Sequence, residues 1–416
     1  MNEINDYIKE HYLTETDLEI GGKFGLSEKA ARSRRCRMGL KKSQQTFRKE
    51  ASMKPQSVKR EVLEERKALA FKGENALLKA KVRQLMKEAN AQDRIIEYNK
   101  LSIDALRPVK TVPFVFSKEK VKESAVLIGS CFHIGERINL EQMGGLNEYN
   151  FDIFIRRFQR LVDTTITFTT GNMSNHKFEE LHIFLTGDMV SGDIHQKQEG
   201  TNVLNIIEQA NVGALIVAQG ILDLAKEFPR VVVTCVVGNH GRTQDKPYWK
   251  NKQQVNYDYV FYTNLALILK NQKNIKFNIP MSFWAGISVQ GHNFHISHGD
   301  TIKSWGGIPF YGIKRERAGW VEISAYQKKF FRYFVRSHFH HYGNLQNTLG
   351  EDIMNGSLKG GDEYAIGFPA FSDPIQLLFG VHQKYGKSWQ LAINTKYAPT
   401  NSRYRYNLTE HIVDQM

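Results

Sequence analysis

Imidazole, carboxylate, carboxamide and thiol side chains gather in five short stretches of this chain, and together they are donor types that hold divalent cations. The stretches are Gly129-Ser130-Cys131-Phe132-His133-Ile134-Gly135, Gly187-Asp188, Gly238-Asn239-His240-Gly241-Arg242, Ser297-His298-Gly299-Asp300 and Ser337-His338-Phe339-His340. Each follows an apolar run of strand-forming residues, which puts its polar groups at the strand's C-terminal tip. Ligand sites in open α/β sheets collect at such tips. Taken singly, a Gly-Asp or a His-x-His is more often structural than functional. Imidazole mixed with carboxylate suits manganese, iron or zinc, whereas a site for magnesium alone draws on oxygen ligands.

The elements that must position these residues alternate in type. Ser124–Gly129 reads as a strand, Phe151–Thr169 as a helix, Leu181–Gly187 as a strand, Asn202–Glu227 as a helix, Arg230–Gly238 as a strand and Tyr257–Leu269 as a helix. That alternation is an α/β signature. Shorter apolar runs follow at Phe277–Ile279, Ile287–Val289, Asn293–Ser297, Phe334–Ser337, Ile366–Phe368 and Ile375–Leu378, and they are expected to form a second sheet packed on the first.

The order and residue types of the five stretches, which span about half the chain, resemble the calcineurin-like metallophosphoesterase superfamily. The resemblance implies a two-sheet αββα sandwich over residues 108–416 and two divalent metal ions, manganese foremost with zinc or iron as alternatives. A pair of cations about 3.5–4 Å apart can hold a phosphoester, generate hydroxide from water and stabilise the leaving oxygen. By resemblance the first ion is held by Cys131, His133, Asp188 and His340, and the second by Asp188, Asn239, His298 and His338. Asp188 bridges, since a carboxylate has two oxygens. His240 takes the family's place for a phosphate contact or a general acid.

Two departures from the family pattern bear on chemistry. Its first motif is Asp-x-His, and here Cys131 stands at the aspartate's position. A thiolate favours zinc over manganese or magnesium. An altered site, a weakened site and an impaired protein all fit, with a retained site preferred because the other ligand positions survive. The second is Gly241, where the family commonly has an acid that orients the histidine; Asp300 or Asp193 is the expected substitute. Ser337 before His-x-His replaces a glycine, a change expected to be harmless. His182, His292, His295 and His341 read as structural or solvent-facing, and His195 as a weaker candidate for touching substrate.

Upstream, Ile4–His11, Glu15–Phe24 and Glu28–Met38 read as three short helices, with Thr14 and Ser27 as N-caps and Gly25 and Gly39 as stops. The third carries Lys29, Arg32, Arg34, Arg35 and Arg37. Phe24-Gly25-Leu26-Ser27-Glu28-Lys29-Ala30-Ala31-Arg32-Ser33-Arg34 resembles DNA-binding helix-turn-helix modules, which implies an all-α DNA-binding unit over residues 1–42. A small bundle with a solvated basic face is the alternative. Residues 43–107 read as a polar linker containing Pro55 and then a long helix from about Val58 to Leu106. Its apolar positions include a heptad step from Val62 to Leu69 to Ala76. A homodimer through that helix and a solvated spacer fit it equally.

Charge and composition frame the substrate. The 416 residues carry a formal net charge of +14, which favours a polyanionic partner. Lys303, Lys314, Arg315, Arg317, Lys328, Lys329 and Arg332 are interleaved with Trp305, Phe310, Tyr311, Trp320, Phe330 and Phe331, as in a surface that grips phosphates and stacks bases. A core with a cationic rim is the competing reading. Asn355-Gly356-Ser357-Leu358-Lys359-Gly360 looks most like SbcD-type DNA repair exonucleases and their phage relatives, which implies a DNA nuclease and an ATPase partner. Alternatives are a phosphatase or phosphodiesterase on a small nucleotide or phosphoprotein, and a catalytically weak DNA-binding protein on the same scaffold. Three cysteines without paired spacing, and no apolar run near the roughly 18 residues of a membrane span, lead us to expect a cytoplasmic protein.

Overall fold

The computed structural model describes residues 2–41, 55–105, 119–194, 202–303 apart from 245, 247 and 248, 309–396 apart from 368, and 405–406. The chain divides into two units, Met1–Pro113 and Phe114–Met416. Among the described residues no helix is long and apolar enough to cross a membrane.

In the first unit, α1 (Asn2–His11), α2 (Asp17–Lys23) and α3 (Glu28–Arg37) close on a small core of Ile8, Ile20 and Ala31. Helix α2 starts later than the sequence suggests. Thr16, not Thr14, is its cap: Glu19 N–H donates to Thr16 Oγ1 at 3.1 Å and Thr16 N–H to Glu19 Oε2 at 2.8 Å, a reciprocal capping box. Ser27 caps α3 through Ala30 N–H.

Arg35 departs from its expected role as a DNA contact. It is buried, donates to both oxygens of Asp17 at 2.8 and 3.0 Å and to Leu40 O at 2.6 Å, and so holds α3 against α2. Lys29, Arg32 and Arg37 are exposed and Arg34 half-buried; Arg32 is paired with Glu28 at 2.8 Å. Helix α4 (Pro55–Ala105) is one run of 51 residues. Pro55 opens it instead of lying in a linker, since proline lacks only an N–H that the first turn leaves unbonded. Leu69, Phe71, Leu77, Leu85 and Ile96 are exposed along it.

The strands of the second unit are, in chain order, β1 (Val121–Gly129), β2 (His176–Leu185), β3 (Arg230–Cys235), β4 (Ile275–Asn278), β5 (Trp284–Val289), β6 (His292–Ser297), β7 (Tyr333–Arg336), β8 (Gly343–Asn347), β9 (Gly350–Met354), β10 (Ile375–His382) and β11 (Gly386–Asn394). Its helices are α5 (Phe151–Ile166), α6 (Ile206–Glu227), α7 (Tyr257–Ile268), α8 (Phe310–Tyr326) and the short α9 (Glu363–Gly367). One sheet has the order β11-β10-β1-β2-β3-β4, and the other β5-β6-β7-β9-β8. Strands β1 to β4 run parallel, and β10 is antiparallel to β1.

Alternation along β1 divides the core. Ala125 and Leu127 face the helices with Phe154, Phe158 and Leu161, while Val126 and Ile128 face the other sheet with Phe294, Val335 and Phe379. A strand buried on both sides has to be apolar throughout, which is why β1 reads as a continuous run instead of an alternating one. Beyond the second sheet, Ile313 of α8 packs on Phe334, Phe331 and Met354.

Several sequence expectations are corrected. The runs at Phe277–Ile279 and Ile375–Leu378 belong to the first sheet, as parts of β4 and β10. Ile366 lies in α9, not a strand, because Asp362 Oδ1 accepts from Ala365 N–H at 2.8 Å and starts a helical turn; Phe368 lies outside the described residues. The helix expected to reach Thr169 is α-helical to Ile166 and continues as a π-helical turn, Thr167–Asn172, where Thr165, Thr169 and Thr170 hydroxyls donate to carbonyls four residues back. The basic and aromatic stretch contains α8 and splits by face. Arg317 is buried against Asp352, with Phe331 and Trp320 packed nearby, so Arg317 is not a DNA contact; Lys314 and Arg315 are exposed. Trp305 lies outside the described residues.

His295 shows how this core answers to pH. Its ring stacks on Trp284 at 5.4 Å and lies against Trp320 at 4.3 Å; burial, then the Arg336 guanidinium, push its pKa down to about 2. The folded protein therefore keeps His295 neutral while the unfolded chain takes up a proton near 6.5. Through this group stability falls as pH drops below about 6.5, by roughly 1.4 kcal/mol per pH unit. Denaturant titrations between about pH 6 and pH 4 should find His295→Gln less acid-sensitive than the wild type by about that slope; parallel slopes would exclude the assignment.

Candidate metal centre

All five stretches lie just beyond the C-terminal ends of strands: Cys131 and His133 after β1, Asp188 after β2, Asn239 and His240 after β3, His298 after β6, and His338 and His340 after β7. Parallel pairing of β1, β2 and β3 sets the first three loops side by side. Direct bonds lock them: Cys131 N–H donates to Gly187 O and His133 N–H to Asp188 O, each at 3.0 Å. The second sheet is tied in through Ser337, whose N–H donates to His298 O at 2.7 Å and whose hydroxyl meets Thr186 Oγ1 at 2.6 Å. Ser337 thus adds a bond that a glycine would lack.

Five of the residues have left-handed backbone: Cys131 (φ +51°), His133 (+46°), Asp188 (+55°), His338 (+73°) and His340 (+58°). Such conformations cost roughly 1–2 kcal/mol per non-glycine residue. They persist where surrounding contacts over-determine them, and they cluster at functional sites.

The donor atoms fall in two neighbouring groups. His133 Nε2 and His340 Nε2 are 3.2 Å apart, with Cys131 Sγ beside them; all three atoms lie within 4.8 Å of one another. His298 Nε2 is 2.9 Å from Asp188 Oδ2 and 3.3 Å from His338 Nδ1. Asp188 also groups with Cys131 and His298, and again with His133 and His240, so it stands between the two sets. Donor separations of about 3 Å are what bonds of roughly 2.0–2.2 Å to a shared cation produce. Asn239 Oδ1 is buried without a hydrogen-bond partner among the described residues, as a metal-directed carboxamide oxygen would be. The residues therefore fit divalent cations.

Carbonyls set the histidine tautomers. His298 Nδ1 donates to Thr186 O at 2.7 Å, which turns Nε2 toward Asp188, and His240 Nδ1 donates to Ser191 O at 2.8 Å. The expected acidic partner of His240 is therefore replaced by a main-chain oxygen. Asp300 instead pairs with Lys252 at 2.6 Å, and Asp193 accepts from Asn202. Gly241 is explained as well: a Cβ there would run into Asn256 Oδ1, so no acid fits. Gly238 is required for the same kind of reason, since its Cβ would collide with Asp188 Oδ1.

The electrostatics favour neutral imidazoles over most of the cluster. Burial, then Lys359, hold His133 and His340 well below the usual histidine range, and burial with His298 nearby brings His338 down to about 4. Burial opposes charge on His298, but Asp188 outweighs it and raises His298 to about 9. Burial also opposes charge on Asp188, which His298 and His240 nevertheless hold well below the carboxylate range. Neutral imidazole is the form that ligates. Burial pushes the Cys131 thiol up.

Sequence reasoning singled out the stretch containing Lys359 but missed its role, and missed Glu136, Asp362 and Asp258, which lie behind these groups with it. Glu136 Oε2 is 3.4 Å from His133 Nδ1, and its other oxygen pairs with the buried Lys359 Nζ at 2.7 Å; Lys359 pairs also with Asp362 at 2.7 Å. Asp258 accepts from the N–H groups of Asp188 (2.8 Å), Met189 (2.9 Å), Val190 (3.2 Å) and Gly238 (2.8 Å). Burial, with Asp188 close by, raises its carboxyl to about 6. The one local signal was Asn256, an N-cap whose side chain accepts from Asp258 N–H. His195 lies outside the described residues, and His295 and His341 serve structural contacts.

No family model matches the chain. It is 24% identical over 277 residues to the SPbeta prophage-derived uncharacterized protein YonJ of Bacillus subtilis (strain 168), a match covering 63% of this chain and 63% of that protein, so less than two thirds of the relative's length is spanned. Among solved structures, an archaeal phosphodiesterase aligns with 65% of this chain and 99% of its own at 13% identity and a TM-score of 0.31. Vps29 complexed with zinc from Entamoeba histolytica aligns with the same shares at 11% identity and a TM-score of 0.26. A predicted phosphoesterase from Streptococcus pneumoniae TIGR4 covers 65% and 98% at 8% identity and a TM-score of 0.27.

The Asp258 bonds generate a prediction. Asp258→Ala leaves four buried N–H groups without their acceptor, at about 1–3 kcal/mol each before relaxation. The variant should unfold at clearly lower denaturant concentration and bind divalent cations more weakly at every site, by calorimetry. Wild-type cation affinity in a folded Asp258→Ala protein would refute this role.

Proposed function

We propose that the second unit is a metal-dependent phosphoesterase that hydrolyses phosphodiester bonds in DNA. The observation that carries the catalytic part is the convergence of Cys131, His133, Asp188, Asn239, His298, His338 and His340 at one end of two facing sheets, with Asp188 shared between two donor sets. Two divalent cations held there would supply Lewis-acid activation of the phosphoester and of a water nucleophile. Cys131, His133, His340 and Asp188 would hold one, and Asp188, Asn239, His298 and His338 the other.

The protein's own groups do the positioning. Ser191 O orients His240 so that its proton-exchanging nitrogen is Nε2, and the ring sits edge-on to His133 with centroids 4.5 Å apart. His240 is thus placed to donate a proton to a leaving oxygen beside the first donor set. Asp188 Oδ1 accepts His240 N–H at 2.8 Å, which couples the acid's position to the shared carboxylate.

DNA is the substrate we favour because of the net charge of +14, the exposed Lys314 and Arg315 on α8, and the basic face of α3 formed by Lys29, Arg32, Arg34 and Arg37. A small-phosphodiester substrate would leave those cations without a role. On this reading the first unit is the DNA-binding arm, α4 offers a surface for a second copy, and an ATPase works alongside.

The full chain, loaded with manganese, zinc or magnesium, should cut labelled single- or double-stranded DNA. Asp188→Asn should reduce the rate by more than the roughly 100-fold typical of losing a residue behind the ligands. Cleavage of a chromogenic phosphodiester with DNA left intact would overturn the DNA assignment, and activity unchanged in Asp188→Asn would overturn the metal mechanism. Arg37→Ala should lower the slope of log affinity for DNA against log salt by about 1; an unchanged slope would remove α3 from the DNA contact.

A further inference from the structure

We propose that Cys131 is itself a metal ligand, as a thiolate, and that the position it shares with His133 and His340 selects a soft or borderline cation, zinc foremost, over manganese and magnesium. The proposal rests on the metal-binding part of the reading above and not on its substrate.

A buried cysteine is most often a small hydrophobe, and Cys235 shows that case: it lies on β3 inside the hydrophobic cluster with Val231, Val233 and Val237. Cys131 is as fully buried, yet it belongs to none of the hydrophobic clusters among the described residues. Its sulfur instead faces two histidine nitrogens, all three within 4.8 Å, and reaches Asp188 and His298 within the same limit.

The backbone is built to hold it there. Cys131 takes φ +51° and is fixed by its N–H to Gly187 O, and by Ser357 Oγ and Leu358 N–H, both donating to Cys131 O at 3.1 and 3.2 Å. Nothing in a hydrophobic role requires that strain.

Charge and donor softness complete the case. On binding, the S–H bond breaks, the electron pair forms the bond to the metal and the proton leaves to solvent. The ligand then carries one negative charge, as a carboxylate would. One sulfur, two imidazoles and a carboxylate oxygen form a donor set typical of zinc, and a thiolate is a poor ligand for manganese or magnesium.

The test is spectroscopic. Full-length protein stripped of metal and titrated with Co(II) should develop a near-ultraviolet sulfur-to-cobalt charge-transfer band, retained in Cys36→Ser and lost in Cys131→Ser. Cys131→Asp should bind zinc at least tenfold more weakly and manganese more strongly than the wild type. X-ray absorption at the zinc edge of the wild type alone, which needs no variant to fold, should show one sulfur at about 2.3 Å. A zinc shell of nitrogen and oxygen only, a cobalt band that survives Cys131→Ser, or failure to bind either metal would overturn the proposal. A protein with the sulfur shell but no phosphodiesterase activity would sustain it and overturn the function proposed above; an active enzyme without that shell would do the reverse.

Discussion

The arrangement of the site depends on one buried carboxylate whose oxygens are taken up by main-chain N–H groups. Asp258, in the first turn of α7, collects the N–H groups of Asp188, Met189, Val190 and Gly238. Those bonds join the loop after β2 to the loop after β3 and hold Asp188 at φ +55°. The arrangement carries tension, because two carboxylates are buried close together and Asp258 is raised to about 6 by burial and by Asp188. Backbone N–H donors and the cationic tendency of His298 on the other side of Asp188 offset it. A divalent cation would relieve the repulsion further, as an anionic pocket prepared for a metal requires.

Behind the other half of the cluster, the loop Asn355-Gly356-Ser357-Leu358-Lys359-Gly360 acts as a clamp. Asn355 donates to Ser130 Oγ at 2.7 Å, Ser130 Oγ to Gly356 O at 3.0 Å, and Ser357 to Cys131 O, so the turn carrying Cys131 is held from a loop more than 200 positions away. Lys359, pinned between Glu136 and Asp362, then fixes the carboxylate that faces His133. Burial would push this lysine toward neutrality, but the two carboxylates outweigh it and keep it charged. A positive charge inside the site also keeps His133 and His340 neutral and ready to ligate.

Not every cation counted in the net charge of +14 lies where a polyanion can reach it. Arg35, Arg317, Arg336 and Lys359 are buried and each has a carboxylate partner: Asp17, Asp352, Glu316, and Glu136 with Asp362. Removing one partner of such a pair strands a charge, so they act as structural locks. What remains for a polyanion is a subset, Lys29, Arg34, Arg37, Lys314 and Arg315 among them, which sequence spacing did not separate from the locked ones.

The sequence by itself determined the donor types, their placement after apolar runs, the α/β alternation and the helical N-terminal unit, because these follow from composition and from periods of two and 3.6 residues. It missed α8, β8, β9 and β11, where polar residues interrupt the apolar pattern. It read Ile366 as strand, because a cap at Asp362 outweighs β-propensity there. Only the tertiary structure decided that Ser191 O and not an acid orients His240, that Arg35 and Arg317 turn inward, and that Asp258, 70 residues from Asp188 in sequence, holds the shared carboxylate. The reason is physical: spacing and propensity act over a few residues, whereas the bonds that fix this site form only when distant loops close on one another and leave buried polar groups that must be satisfied.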